Sequence, residues 1–298
     1  MLCGHKSSVL HSASAIAVAL FSFGLIGWMA RQGAAGPKVA APETMAIAPG
    51  SMGYRASGEY LRNGIPVDAP LIDIGFTDPL HVMKYQVSVA DYARCVDAGA
   101  CEPGDTGQAT DNRVAVTGMS FEDAQSYASW LSKKTGQVWR LPSDEEWAYA
   151  AGSRFYDDAL GIGSDGNDPS KRWIAEYRRN TERGVEADPE PKPPGFYGEN
   201  EHGISDLSGN VWEWTSSCHV RARITETGAV EKEKTENCGV RVVEGRHRAY
   251  MISFVRDAKG GGCSVGTPPD SLGFRLVRDD PRRFSFAALK TWWRAGTQ

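Results

Sequence analysis

Three segments of the chain repeat their apolar positions with the period of an α-helix, and a serine precedes each of them. The first is predicted to span Val89–Asp97, and the second places four apolar side chains on one face. In the second and third segments an acidic residue lies three positions after the serine, which is the capping-box pattern of a helix N-terminus. The starts and stops are Ser88 with Gly99, Ser120 with Gly136, and Ser143 with Glu146 in its first turn.

Strand-like alternation is limited to short pieces, at Leu71–Phe76, Val138–Arg140, 240–243 and 274–277. Between them lie long polar stretches, notably 157–201, which are rich in proline, glycine and charge. The chain also contains 33 glycines and nine tryptophans, a mixture that favours loops pinned by aromatic side chains. These patterns predict an α+β protein with little regular secondary structure.

No internal repeat divides residues 45–280, so we expect one domain there. Residues 281–298 form a C-terminal tail whose apolar side chains recur at helical spacing, and we expect it to pack on the domain. Residues 1–35 are different, because an uncharged apolar run over 13–30 lies between Lys6 and Arg31. This is the pattern of a secretory signal peptide. The alternative is an uncleaved membrane anchor, since the run reaches the lower limit of a spanning helix.

Whether residues 1–35 are a cleaved signal peptide or a retained anchor, a linker over 36–44 leads to a domain outside the cytoplasm. We therefore expect an exported, periplasmic protein. The net charge of −4 and the lack of a basic run exclude nucleic acid as a partner on electrostatic grounds. An acidic domain has no charge-based affinity for lipid headgroups. Contact with the inner membrane is therefore expected only through residues 13–30.

Six cysteines are present, of which Cys3 lies in the N-terminal segment. In an oxidising compartment, Cys95 with Cys101 and Cys218 with Cys238 are candidate disulfide pairs, although sequence does not fix the connectivity. The second pair flanks a polar excursion over 220–237. This pairing leaves Cys263 as a free thiol, either buried and inert or reactive.

Three sequence blocks carry a family resemblance. They are residues 114–151, which end in VWRLPSDEEWAYAA, residues 203–215 (GISDLSGNVWEWT) and residues 273–277 (GFRLV). Their order and spacing resemble the formylglycine-generating enzyme family, the sulfatase-modifying-factor domain, over residues 45–280. The resemblance implies the C-type-lectin-related α+β fold of that family.

Glu213 lies between two tryptophans, where a carboxylate is costly to bury unless a cation neutralises it. The resemblance implies structural Ca²⁺, held by the Glu213 side chain and the carbonyls of Ser208, Gly209 and Val211. Oxygen ligands of this kind suit calcium. The alternative is an ion pair between Glu213 and an arginine. Arg275 of the GFRLV block is predicted to be a buried structural arginine.

The resemblance also implies an O₂-dependent oxidation that uses two Cu(I)-binding cysteines five positions apart. Counting from Gly245 places Tyr250 and Val255 at those positions, so both thiols are replaced. Soft thiolates are the natural Cu(I) ligands. Candidate catalytic residues that remain are Cys263, His247 and Tyr250, and copper or iron is left open as a redox metal. For His247 alone, a hydrogen-bonded structural role is the competing interpretation.

Residues 240–279 resemble most the NirV-type branch of the family, exported proteins encoded beside copper nitrite reductase. This implies an accessory protein that assists maturation or function of a periplasmic redox protein, with copper nitrite reductase as the partner in denitrification. The alternative is an oxidoreductase of the same fold with a non-standard site. A lectin-like binding module is a third hypothesis and rests on fold analogy alone.

Overall fold

The structure is a computed structural model that describes residues 39–104, 111–161, 174–175, 178, 190–257 and 271–279. All of these residues belong to one compact unit. Several predicted features lie outside them: the apolar segment 13–30, Cys3, Cys263 and the tail 281–298. Among the described residues, no helix has the length and apolar character needed to span a membrane.

The three predicted helices are confirmed, and they are α1 (Val89–Asp97), α2 (Phe121–Thr135) and α3 (Asp144–Ala151). Each begins after its predicted serine, whose hydroxyl accepts a hydrogen bond from a backbone N–H of the first turn. At α2 and α3 the acidic side chain also accepts from the serine N–H, so both capping boxes are complete. Gly136 ends α2 with a φ of 71°, a conformation that glycine adopts without steric cost.

Twelve strands are formed by the described residues and build three sheets. One has the order β1-β6-β12-β7, the second has the order β10-β9-β8-β3-β4 with β11 beside β8, and β2 pairs with β5 alone. The strands are β1 (Thr44–Ile47), β2 (Gly50–Arg55), β3 (Glu59–Arg62), β4 (Ile65–Val67), β5 (Leu71–Phe76), β6 (Leu80–Met83), β7 (Val138–Arg140), β8 (Trp212–Ile224), β9 (Val230–Glu244), β10 (Ala249–Ile252), β11 (Leu272–Gly273) and β12 (Val277–Asp279).

The strands predicted at Leu71–Phe76 and Val138–Arg140 are confirmed, and 240–243 is the inner end of β9. The strand predicted over 274–277 is wrong, because only Val277 belongs to a strand. The carbonyls of Phe274 and Leu276 accept from Val87 and Met83, which are isolated contacts and not a continuous ladder. The segment is apolar because it is buried in the core.

The polar excursion over 220–237 is a long antiparallel hairpin of β8 and β9, with its turn near Gly228. The outer half of β9 is exposed and shows no apolar alternation that sequence could detect. On β8, Ala222 and Ile224 are buried and alternate with exposed arginines. The inner half is buried beneath α2 and α3. There Trp214 and Val243, together with Met251 of the neighbouring β10, join the aromatic residues of α2 in the main core.

Candidate functional site

Both candidate disulfides are formed in the structure, Cys95 with Cys101 and Cys218 with Cys238. The first disulfide links α1 to the residues just after it and is buried. The second crosses the β8–β9 hairpin where its buried half meets its exposed half. With these pairs formed, Cys263 remains the extra cysteine of the domain, and it lies outside the described residues.

Glu213 is buried on β8 and forms a bidentate ion pair with Arg275, which is 0% exposed. The distances are 2.6 Å from Nε to Oε2 and 2.7 Å from Nη2 to Oε1. Each carboxylate oxygen receives a second donor, Gln86 Nε2 at 2.8 Å and Trp147 Nε1 at 2.9 Å. The predicted buried arginine is confirmed, and its partner is the glutamate that the resemblance assigns to calcium.

The proposed calcium ligands therefore do not fit the ion in this arrangement. A carboxylate has about four acceptor sites, and four N–H donors occupy those of Glu213. The loop that carries Ser208, Gly209 and Val211 turns sharply, with Ser208 at a φ of 60°. Its carbonyls would have to bind Ca²⁺ after Arg275 had released the carboxylate. The geometry corresponds to the ion-pair alternative.

The two positions of the family's copper cysteines contain no metal ligand of the required kind. The Tyr250 hydroxyl on β10 accepts a hydrogen bond of 2.6 Å from Gly58 N, and its ring meets the His219 ring edge-on at 5.0 Å. Burial raises the pKa of Tyr250, so the phenol stays protonated, and burial lowers the pKa of His219. Val255 packs against the main core and has no donor atom.

His247 lies in the turn between β9 and β10 and is buried against Trp212. Its Nδ1 is 2.9 Å from the Arg248 carbonyl, so that nitrogen carries the hydrogen and donates it. The His247 carbonyl in turn accepts from Trp212 Nε1 at 3.0 Å. These contacts agree with the structural interpretation of His247, whereas Tyr250 contacts a different part of the sheet. A catalytic role for either residue stays a prediction.

The same turn carries a buried charge cluster that sequence reasoning missed. The Arg248 guanidinium is 2.8 Å from Glu244 Oε1, 3.2 Å from Asp144 Oδ2 and 3.3 Å from Asp158 Oδ2. Tyr54 donates its hydroxyl hydrogen to Asp144 and lies under the guanidinium. Arg248, Asp144 and Glu244 are almost fully buried, and the Asp158 side chain, 26% exposed, connects the cluster to solvent.

One arginine cannot neutralise three carboxylates, and the excess negative charge favours a proton on Glu244. Burial raises the pKa of Glu244 well above its usual range, and the neighbouring Asp144 charge adds to the effect. The cluster therefore favours a protonated carboxyl beside a fixed guanidinium, an arrangement suited to proton transfer or to fixing the β9–β10 turn.

Sequence gave only a weak signal for this cluster. Arg248 has Glu244 four residues before it, but its other two partners lie about a hundred residues away, at the start of α3 and just beyond it. Asp144 has the position of an exposed helix-start acid, yet it is fully buried.

The fold and this site define an α+β protein with a charged cluster under a short turn. The sequence matches the sulfatase-modifying factor enzyme 1-like domain over residues 31–280. The chain belongs to this FGE-sulfatase family, and the fold predicted from sequence is confirmed.

Curated relatives include the formylglycine-generating enzyme of Streptomyces coelicolor, 28% identical over 55% of this chain and 52% of its own length. They also include the inactive C-alpha-formylglycine-generating enzyme 2 of Mus musculus, 29% identical over 55% of this chain and 49% of its own. The chain thus spans about half the length of these relatives. PvdO from Pseudomonas aeruginosa shares the fold, with a TM-score of 0.51, 21% identity, and coverage of 80% of this chain and 95% of its own.

Proposed function

We propose that this protein is an exported accessory factor of formylglycine-generating-enzyme-like fold. It assists the maturation or function of a periplasmic redox protein, and the candidate partner is copper nitrite reductase. The export assignment rests on the apolar segment 13–30, and the partner rests on the resemblance of residues 240–279 to the NirV-type branch.

The observation that carries this proposal is the state of the two copper positions. Tyr250 uses its hydroxyl oxygen to accept from Gly58, and Val255 offers no ligand atom. Cu(I) chemistry at these positions needs two soft thiolates, so the oxidation that the resemblance implies has no copper site there. Family membership without that activity has a precedent in the relative named as an inactive formylglycine-generating enzyme.

A deletion strain tests the proposal. We expect the strain to contain less copper-loaded, active nitrite reductase in its periplasm, and we expect the full-length gene to restore it. A variant lacking residues 2–35 should not restore it, because the protein would not be exported. Normal copper content and activity of nitrite reductase in the deletion strain would overturn the proposed role.

The oxidoreductase alternative is separated from the accessory role by Cys263→Ser. The accessory role predicts that this variant complements the deletion as well as the unchanged protein does. If it folds with an unchanged unfolding midpoint and fails to complement, the alternative is favoured. Metal analysis of the purified protein adds a second test, because stoichiometric copper or iron would contradict the accessory role.

A further inference from the structure

The Cys218–Cys238 disulfide lies at an irregularity of the β8–β9 hairpin. Cys218 pairs with Arg241, whereas the next residue, His219, pairs with Asn237. Residues 238–240 therefore form a bulge without partners on β8, although Val240 still pairs with Ile252 of β10. Bulges re-aim side chains and are frequent beside functional sites. Here the bulge leaves Cys238 exposed, while Cys218 is half-buried.

Arg241 places a positive charge against one of the two sulfurs. Its Nη1 is 3.0 Å from Cys218 Sγ and 2.7 Å from the Ser216 carbonyl. Its guanidinium stacks over the Phe121 ring at 4.1 Å from the centroid, which fixes its orientation.

The charge of Arg241 is not neutralised by a close ion pair, because the carboxylates of Glu122 and Glu236 act on it only from beyond ion-pair distance. Its Nε is buried and has no hydrogen-bond partner, and no carboxylate of the described residues forms an ion pair with it. An arginine held in this way favours the thiolate form of an adjacent cysteine. Cys218 is therefore the better leaving group of the two.

The opposite charge lies beside the other sulfur. Glu236 Oε1 is 3.9 Å from Cys238 Sγ, and this carboxylate disfavours a thiolate on Cys238. A carboxylate oxygen of Glu236 also lies within 4.8 Å of Cys218 Sγ, but there the contact with Arg241 opposes its effect. The rate of thiol–disulfide exchange depends on the stability of the leaving thiolate and on access to the attacked sulfur. Both factors favour attack at Cys238 with Cys218 as the leaving group, so the pair is chemically asymmetric. The buried Cys95–Cys101 pair has no such exposed sulfur.

We infer that Cys218–Cys238 is an exchangeable redox disulfide that oxidises a dithiol on a partner protein or peptide. A partner thiolate attacks Sγ of the exposed residue Cys238, the disulfide bond breaks, and Cys218 leaves as a thiolate beside Arg241. The partner's second thiolate then attacks its own sulfur in the mixed disulfide and releases Cys238. The partner gains a disulfide, and the two electrons and two protons end on Cys218 and Cys238. This inference does not depend on the proposed function.

The first test identifies the attacked sulfur. The full-length protein is treated briefly with reduced glutathione, free thiols are blocked, and peptides are examined by mass spectrometry. We expect glutathione on Cys238 and the blocking group on Cys218. Glutathione predominantly on Cys218, or no reaction at this pair before Cys95–Cys101 opens, would overturn the inference.

The second test measures the contribution of Arg241. The rate of reduction by dithiothreitol is followed for the unchanged protein and for Arg241→Gln, and we expect about a tenfold slower opening in the variant. Arg221→Gln is the matched control, because it removes one arginine from the same hairpin without touching a sulfur. Equal rates in all three proteins would contradict the inference. The glutathione test uses the unchanged protein and remains decisive if Arg241→Gln does not fold.

Discussion

Glu213 and Arg275 show what a buried charged side chain requires in this fold. Their bidentate contact is supplemented by donors from Gln86 and Trp147, so both charges are satisfied away from water. Burying ions is expensive, and removing one partner leaves the other uncompensated. The pair joins β8 to the segment before β12. Arg275 also donates to the Ser205 carbonyl, so it connects the loop before β8 as well.

We expect Glu213→Gln to lower the free energy of unfolding by about 3–5 kcal/mol, because Arg275 would remain buried beside a neutral amide. Urea denaturation followed by tryptophan fluorescence measures the change. Arg221→Gln, which removes an exposed ion pair with Glu59, serves as the control and should leave the midpoint unmoved. A loss below about 1 kcal/mol for Glu213→Gln would show that the pair is not essential.

Glu213 also allows the ion-pair interpretation and the calcium hypothesis to be tested against each other. Because four N–H donors saturate Glu213, we expect chelation by EDTA to leave the thermal unfolding midpoint unchanged. A lower midpoint after EDTA, restored by added Ca²⁺, would favour calcium and require Arg275 to release the carboxylate.

The raised pKa of Glu244 predicts that the stability of the protein depends on pH. Its pKa is raised in the folded protein, so the folded state binds this proton more tightly than the unfolded chain does. Its contribution to the free energy of unfolding is therefore greatest at low pH and falls as the pH rises from the ordinary glutamate range through the folded-state pKa.

Glu244→Gln keeps the size of the side chain and an acceptor for Arg248 but does not titrate. We expect the variant to gain stability relative to the unchanged protein as the pH rises, measured by urea unfolding between about pH 5 and 9. The exposed Glu231→Gln is the control and should run parallel to the unchanged protein. A constant difference for Glu244→Gln across that range would mean that Glu244 is already ionised.

At the scale of elements, the helices follow from local sequence, and the long hairpin does not. Caps and stops act within a few residues, so Ser120 and Gly136 define α2 without help from the rest of the chain. The outer part of β9 is exposed along its length, and on β8 only Ala222 and Ile224 are buried there, in one cluster with Tyr60. The pairing of β8 with β9 is fixed by contacts with β3 and by the disulfide.

Gly58 couples the start of β3 to this hairpin. It has a φ of 123°, its N–H donates to Tyr250, and a Cβ there would collide with the Val220 carbonyl. We expect Gly58→Ala to lower the free energy of unfolding by about 2–4 kcal/mol through strain and the lost hydrogen bond. Gly64→Ala is the matched control, since Gly64 has a φ of 79° but open space around it. It should cost only about 1 kcal/mol, and equal losses would mean that backbone strain alone matters at Gly58.

At the scale of the whole molecule, stability should be unevenly distributed. The described cores gather where α2 and α3 meet the sheets, around Trp147, Trp214 and Phe274, while the hairpin tip is exposed. Backbone hydrogen bonds open most easily where few apolar groups cover them.

Amide hydrogen exchange should show this gradient. We expect the slowest exchange at Val82, Trp214 and Val277, which are buried, and exchange at least about tenfold faster at 226–236. Mass spectrometry of peptides from the folded protein measures both regions. Equal protection in the two regions would indicate that an additional contact covers the hairpin tip.

The sequence by itself determined the helices, their ends, the fold family, the pairing candidates among the cysteines and the replacement of both copper cysteines. Each of these depends on neighbouring residues or on an ordered pattern of motifs. Only the tertiary structure decided which arginine neutralises Glu213, that Arg248 holds Asp144, Glu244 and Asp158, and that Arg241 contacts one sulfur of a disulfide. These are contacts between distant parts of the chain, and their energies depend on burial and distance, which appear only when the strands pair.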